Sequence, residues 1–280
     1  MNSSRLAASL QLVRPFNVLV MMLVIAAAVV LASEEQPDAF IVVIAALVGG
    51  CIGGAANTIN DYYDIEIDRI NKPRRPLARG ALSPEWAFLQ WLFLSLVGIS
   101  LNLFLPSLAF WIATGAVAVL FLYSSRLKKT LLWGNLAVAL MTALAFVYGA
   151  VVAGHPARAF VPALFAFLIN LGREVVKDVE DLPGDLGGKA RTFPARYGVR
   201  RSLALATAIL VVLMVVTFVV YRQGMYGRLY SILVAVVDVA VLYSIVTMWR
   251  DSSPRNLGKV SLVLKASMVI GLAALYLGSE

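Results

Sequence analysis

Nine apolar runs, each close to the length needed to cross a lipid bilayer, follow one another along this 280-residue chain. A hydrocarbon core takes roughly 20 predominantly apolar residues per helix, with about 17 to 25 tolerated. The runs cover 16–32, 39–59, 86–105, 108–123, 131–153, 159–171 with a polar helical continuation, 202–221, 229–249 and 257–277. Only Pro106 and Ser107 split the third from the fourth. Composition agrees, with 60% hydrophobic and 14% charged residues, where soluble domains carry about a quarter charged. The expected fold class is therefore all-α, a polytopic membrane protein of nine transmembrane helices forming one domain over residues 1–280. No positive, hydrophobic, small-residue leader is evident, so the first run is read as a retained span. Cys51, the lone cysteine, lies in an apolar run and reads as a small helix-contact residue.

Basic residues are distributed unevenly between the two sets of connections. Of 24 Lys and Arg, 20 fall at the N-terminus, in 60–85, 124–130 and 172–201, or in 250–256 with Lys259. The other connections hold three, and Lys265 lies inside the last run. Cytoplasmic connections carry the excess of Lys and Arg. This predicts an integral cell-membrane protein with a cytoplasmic N-terminus and an external C-terminus. The net charge of +8 is accounted for by the same bias, so nucleic acid is not an expected partner.

Two of the basic connections contain the same acidic spacing. Asp61, Asp64 and Asp68 stand at i, i+3 and i+7, as do Asp178, Asp181 and Asp185, and the two sets are 117 residues apart. On a helix this spacing lines three carboxylates on one stripe, where repulsion calls for a cation. A Lys follows the last Asp by four residues and an Arg by six in both copies: Lys72 and Arg74, Lys189 and Arg191. An offset of four spans suggests an internal duplication of a four-helix unit, with motifs at 60–76 and 173–194, and predicts both motifs on the cytoplasmic side, able to face each other.

Carboxylates beside cations suit Mg²⁺ and phosphate. Mg²⁺ prefers oxygen donors and is usually held by one or two carboxylates together with substrate phosphates. Lys72, Arg74, Arg75, Lys189 and Arg191 would reach the remaining phosphate oxygens. Zinc sites favour Cys and His, of which this chain has one each. There is no GxxxxGK[ST] and no GxGxxG, so neither ATP hydrolysis nor dinucleotide binding has support. Glu66, Glu174 and Glu180 fall off or beside the stripes and are expected to pair with nearby Arg.

The run NDYYDIEIDRINKPRRPL resembles the NDxxDxxxD motif of UbiA-type intramembrane prenyltransferases, and GREVVKDVEDLPGDLGGKARTFP resembles their second Asp-rich motif. The RPFN stretch at 14–17 and YSSRLKK at 123–129 extend the resemblance over most of the chain. It implies a nine-helix bundle around a central cavity, and Mg²⁺ held by Asn60, Asp61, Asp64, Asp68, Asp178, Asp181 and Asp185. Of these, Asp64, Asp68, Asp181 and Asp185 are the implied catalytic residues. The substrates would be a prenyl diphosphate such as geranylgeranyl diphosphate and a lipophilic acceptor. The second motif is most similar to the branch that transfers geranylgeranyl to geranylgeranylglyceryl phosphate in archaeal ether-lipid biosynthesis; branches acting on quinone precursors or chlorophyllide are the alternatives. Lys128, Arg126 or Arg14 would serve the phosphate of such an acceptor.

Asn17, Asn57 and Tyr123 read either as substrate contacts or as interhelical hydrogen bonds and interface anchors. Asp238 and Lys265 each lie midway through a span, and an ion pair between them is expected, because an isolated charge in hydrocarbon is costly. An ion-coupled transporter is the alternative from another class, with the Asp clusters as an entrance and these two charges on a path.

Overall fold

The computed structural model describes residues 3–187 and 192–278. Twelve helices run in the order α1 (Ser3–Val13), α2 (Pro15–Ala32), α3 (Ala39–Tyr63), α4 (Ile65–Asn71), α5 (Pro84–Leu101), α6 (Ser107–Ser125), α7 (Trp133–Val152), α8 (Phe160–Gly187), α9 (Phe193–Tyr197), α10 (Val199–Arg222), α11 (Arg228–Arg250) and α12 (Pro254–Leu277). Nine helical stretches among the described residues are long and apolar enough to cross a membrane. A 3-10 turn, Asn102–Phe104, follows α5, and Pro106 caps the start of α6, so the third and fourth spans are separate. Many large apolar side chains face outward, among them Phe93, Trp111, Val239, Leu262 and Val269. Lipid, not water, is the solvent such a surface fits.

Two compact units divide the chain. One comprises Met1–Leu127 and Leu144–Ala159. Its centre is α3, whose small residues let neighbours approach closely: a Cβ on Gly49 would stand 2.6 Å from Ile25 Cγ1 of α2. Gly149 of α7 lies against the backbone of α2, where a Cβ would fall 2.8 Å from Val29 N. Close backbone approach supplies the dispersion contacts that hold helices together in lipid. Asn102 donates to Gly98 O at 2.8 Å and accepts from Tyr148 Oη at 2.9 Å, so this buried amide is satisfied inside the unit.

The short helix α1 had no counterpart among the nine runs. Its Ala8 and Leu12 pack with Leu77, Leu82 and Ala87, while Trp86 Nε1 and Gln90 Nε2 donate to Ser9 and Arg79 donates to Gln11. The helix thus braces the connection that carries the first acidic motif.

Lys128–Ala143 and Phe160–Glu280 form the other unit. Here α8 packs against α10 and α12, and α11 against α12. Asn170 donates to Thr142 Oγ1 at 2.8 Å, tying α8 to the first half of α7. The polar continuation expected after 171 is helical, and α8 carries it unbroken to Gly187.

The expected pairing of Asp238 with Lys265 is not found. Asp238 turns toward α10, where Thr217 Oγ1 donates to its carboxylate at 3.2 and 3.3 Å, and Lys265 is exposed on α12 without an ion pair among the described residues. Equal depth on adjacent helices did not suffice, because the two side chains point in different directions. Stability measurements on Asp238→Asn, Lys265→Leu and the double variant should accordingly be additive to within about 0.5 kcal/mol. A coupling above 1 kcal/mol would show an ion pair after all.

Candidate functional site

Asp61 lies in the last turn of α3 and is 2% exposed; Asp68 lies in α4 and is 5% exposed. The three acidic residues do not share one continuous helix. Asp64, with φ −100° and ψ 4°, closes α3 and opens α4. Asp61 and Asp68, on either side of it, bind one guanidinium. Arg75 Nη1 donates to Asp61 Oδ1 at 3.0 Å and to Asp68 Oδ2 at 2.5 Å. Repulsion between the two carboxylates is relieved by this shared cation.

A second arginine reaches the same carboxylate from the other direction in sequence. Arg14 Nη2 donates to Asp61 Oδ1 at 2.5 Å. Arg14 stands between α1 and α2 with φ +58°, the sole non-glycine with positive φ among the described residues. A left-handed backbone is unfavourable for a side chain of this size and persists where the surroundings enforce it. Asn57 Nδ2, donating to Val13 O at 2.9 Å, is one such constraint. Asn57 is therefore used in helix packing, next to the arginine that binds Asp61. The RPFN stretch contains Arg14, yet nothing local in the sequence links it to Asp61, 47 positions away.

Asn60 Nδ2 donates to Asp64 Oδ2 at 3.0 Å, and both residues are half-buried. Lys72 and Arg74 are exposed beside them. Glu66 pairs with Arg69 at 2.8 Å, as expected of a residue off the stripe. Asn17 is exposed on α2, and Tyr123 and Lys128 are half-buried at the end of α6 and in the turn after it.

In the other unit, Asp178, Asp181 and Asp185 do share one helix, α8. Asn135 of α7, buried, donates to Asp178 Oδ2 at 2.9 Å, while Asp181 is exposed. Asn135 was missed by sequence reasoning, since a lone Asn at the start of an apolar run carries no motif. Glu174 pairs with Arg173 at 2.7 Å. Glu180 forms no ion pair with an arginine among the described residues; its carboxylate lies over α12, where a Cβ on Gly258 would come within 2.8 Å of Oε1. Lys189 and Arg191 lie outside the described residues.

The donor set can be weighed against Mg²⁺ directly. No group of three or more acidic, His or Cys side chains is gathered for a metal among the described residues. Asp61 and Asp68 face guanidinium groups, while Asp64 and Asp181 keep carboxylates at or near the surface. All candidate ligands offer oxygen, and one or two carboxylates suffice for an ion that shares its coordination with a substrate diphosphate. The residues fit Mg²⁺ delivered with a phosphate ligand better than they fit a protein-only metal cage.

An all-helical membrane bundle with acidic and basic side chains interleaved at helix ends defines a narrow class. Residues 20–269 match the UbiA prenyltransferase family, and the chain belongs to it. Among curated relatives, the digeranylgeranylglyceryl phosphate synthase of Thermococcus gammatolerans is 39% identical over 225 residues, covering 80% of both chains. The corresponding protein of Methanosphaera stadtmanae is 34% identical, covering 81% of this chain and 83% of its own. A solved structure of a digeranylgeranylglyceryl phosphate synthase superposes with a TM-score of 0.85 at 30% identity, covering 98% of each chain. A UbiA homologue from Archaeoglobus fulgidus, bound to DMAPP and Mg²⁺, shares the fold at TM-score 0.75 and 20% identity, covering 95% of this chain and 98% of that one.

Proposed function

We propose that this protein transfers a geranylgeranyl group from geranylgeranyl diphosphate to geranylgeranylglyceryl phosphate within the cell membrane, forming an ether lipid precursor. The observation that carries the reading is the convergence of Arg14 and Arg75 on Asp61 and Asp68 at the end of a membrane-spanning helix. Phosphate oxygens and a divalent ion need cationic and carboxylate groups held side by side in this manner. The choice of acceptor is supported by the relatives at 34–39% identity, all named for that product.

On this reading the whole chain acts as one catalytic domain, and both motifs serve the same diphosphate. The uneven distribution of Lys and Arg supports a single cytoplasmic side for them. Asn60, Asp61, Asp64, Asp68, Asp178, Asp181 and Asp185 would hold Mg²⁺, which when bound neutralises the diphosphate as a leaving group. Lys72, Arg74, Arg75, Lys189 and Arg191 bind the phosphate oxygens, and Arg14 exchanges its contact with Asp61 for one with substrate. The C1–O bond breaks with its electron pair leaving on diphosphate, and the allylic cation spreads its charge over the prenyl double bond. The glycerol hydroxyl oxygen attacks C1 and its proton passes to the released diphosphate, so one C–O bond replaces another. Lys128, Arg126 and Tyr123 would orient the acceptor's phosphate, and Asn17, exposed on α2, would contact substrate.

Competition settles the acceptor. Purified protein given labelled geranylgeranyl diphosphate and Mg²⁺ with equal amounts of geranylgeranylglyceryl phosphate, an aromatic acid and chlorophyllide is expected to prenylate the glyceryl phosphate at least about tenfold faster than either rival. Preference for a ring acceptor would assign the chain to another branch of the family.

A further inference from the structure

One span away from the segment that follows the second motif, the turn between α10 and α11 borders an open cavity of about 430 Å³. Its lining is mostly polar, in a chain that is 60% hydrophobic: Tyr221, Arg222, Tyr226, Arg228 and Ser231 surround it, with two glycines. The floor is fixed by packing. Tyr226 stacks on Tyr230 with ring centroids 4.7 Å apart, Tyr230 is fully buried, and Gly227 N donates to Gly278 O at the end of α12 at 2.8 Å. Burial raises the pKa of the Tyr226 phenol, so it stays a neutral donor.

Arg222 and Arg228 are exposed, and neither forms an ion pair among the described residues. The third arginine in the connections of this set, Arg158, is engaged by Glu34 at 2.9 Å. The sequence offers little countercharge, with no Asp or Glu between Asp185 and Asp238. Arg228 also opens α11, a helix without a side-chain cap, so the guanidinium stands at the positive end of the helix dipole. Two like charges flank the hollow, and no described residue lining it is acidic. One turn into the span from each, at i−4 and i+4, stand the exposed Phe218 and Ile232, on the same helix faces as the two arginines.

We propose that this cavity binds the phosphate-bearing headgroup of a membrane lipid, with Arg222 and Arg228 on the phosphate and the acyl or prenyl chains descending over Phe218 and Ile232. The apolar stripe below the cations favours a lipid over free phosphate. None of the cavity's lining residues is among those proposed for prenyl transfer, and the proposal does not depend on the acceptor.

Titration of the full-length protein in detergent with phosphatidylglycerol, followed by native mass spectrometry, tests it. The Arg222→Gln, Arg228→Gln double variant is expected to bind about thirtyfold more weakly than wild type, each basic residue near an anionic headgroup contributing about equally. The double Lys variant should retain most of the affinity, and a diacylglycerol with the same chains should not distinguish wild type from the Gln variant. Unchanged affinity in a Gln double variant with wild-type melting temperature would overturn the proposal. Displacement of the lipid by millimolar inorganic phosphate would overturn it too, by making this a free-phosphate site.

Discussion

Asp64→Ala and Asp181→Ala are each expected to lower kcat/KM for prenyl transfer at least about hundredfold, the scale on which loss of one preorganised electrostatic partner is felt in catalysis. Asp64 sits at the break between α3 and α4, half-buried and engaged by Asn60, and Asp181 is exposed on α8. Neither is bonded to Arg14 or Arg75, so neither belongs to the buried ion cluster around Asp61. Removing the exposed Asp181 carboxylate should leave the melting temperature within about 2 °C of wild type, since surface changes away from packed features usually fall within ±0.5 kcal/mol. Asp64→Ala also loses the hydrogen bond from Asn60 and should cost about 1 kcal/mol of stability. The combination of intact folding and lost turnover is the informative one. If both groups serve one diphosphate, the double variant should be little worse than the poorer single variant, because residues acting as a unit are not additive. Unchanged turnover in either single variant would remove that motif from the chemistry.

Arg75→Ala is expected to cost about 3–5 kcal/mol of stability, the range for leaving buried charge uncompensated. One nitrogen of Arg75 serves two carboxylates that are almost wholly buried, and its own side chain is only 19% exposed, so solvent offers little relief. Arg14 would still contact Asp61 but leave Asp68 without its cation. Asp68→Asn in the Arg75→Ala background should recover a substantial part of the loss, since it removes the stranded charge. Chemical denaturation in a single detergent would measure both. A loss under 1 kcal/mol for Arg75→Ala would mean that the cluster is solvated in the working protein.

The topology was legible in the sequence to an unusual degree, for a simple reason. A bilayer imposes one length and one polarity on every span, so each run announces its helix locally. Pro106 and the apolar stretches on either side of it separated α5 from α6 without reference to any other part of the chain. The acidic motifs were legible as composition and spacing too. Their geometry was legible only on α8, where the helix is continuous. At Asp64 the regular helix is interrupted, a local event about which period and spacing carry no information.

Partner choice was the other boundary. Asp238 and Lys265 sit at matching depths on adjacent helices, which the sequence shows, yet Asp238 takes a hydroxyl from Thr217 and Lys265 faces outward. Rotation of a helix about its own axis is set by every neighbour it packs against, and depth alone does not specify it. Asn135 on Asp178 and Arg14 on Asp61, 43 and 47 positions apart, are contacts of the same kind. The amino-acid sequence by itself determined the spans, the uneven division of Lys and Arg between their connections and the residue types able to meet a diphosphate, all of which depend on local pattern. Which carboxylates are buried and which arginines neutralise them were decided only by tertiary packing, since each depends on atoms brought together from distant parts of the chain.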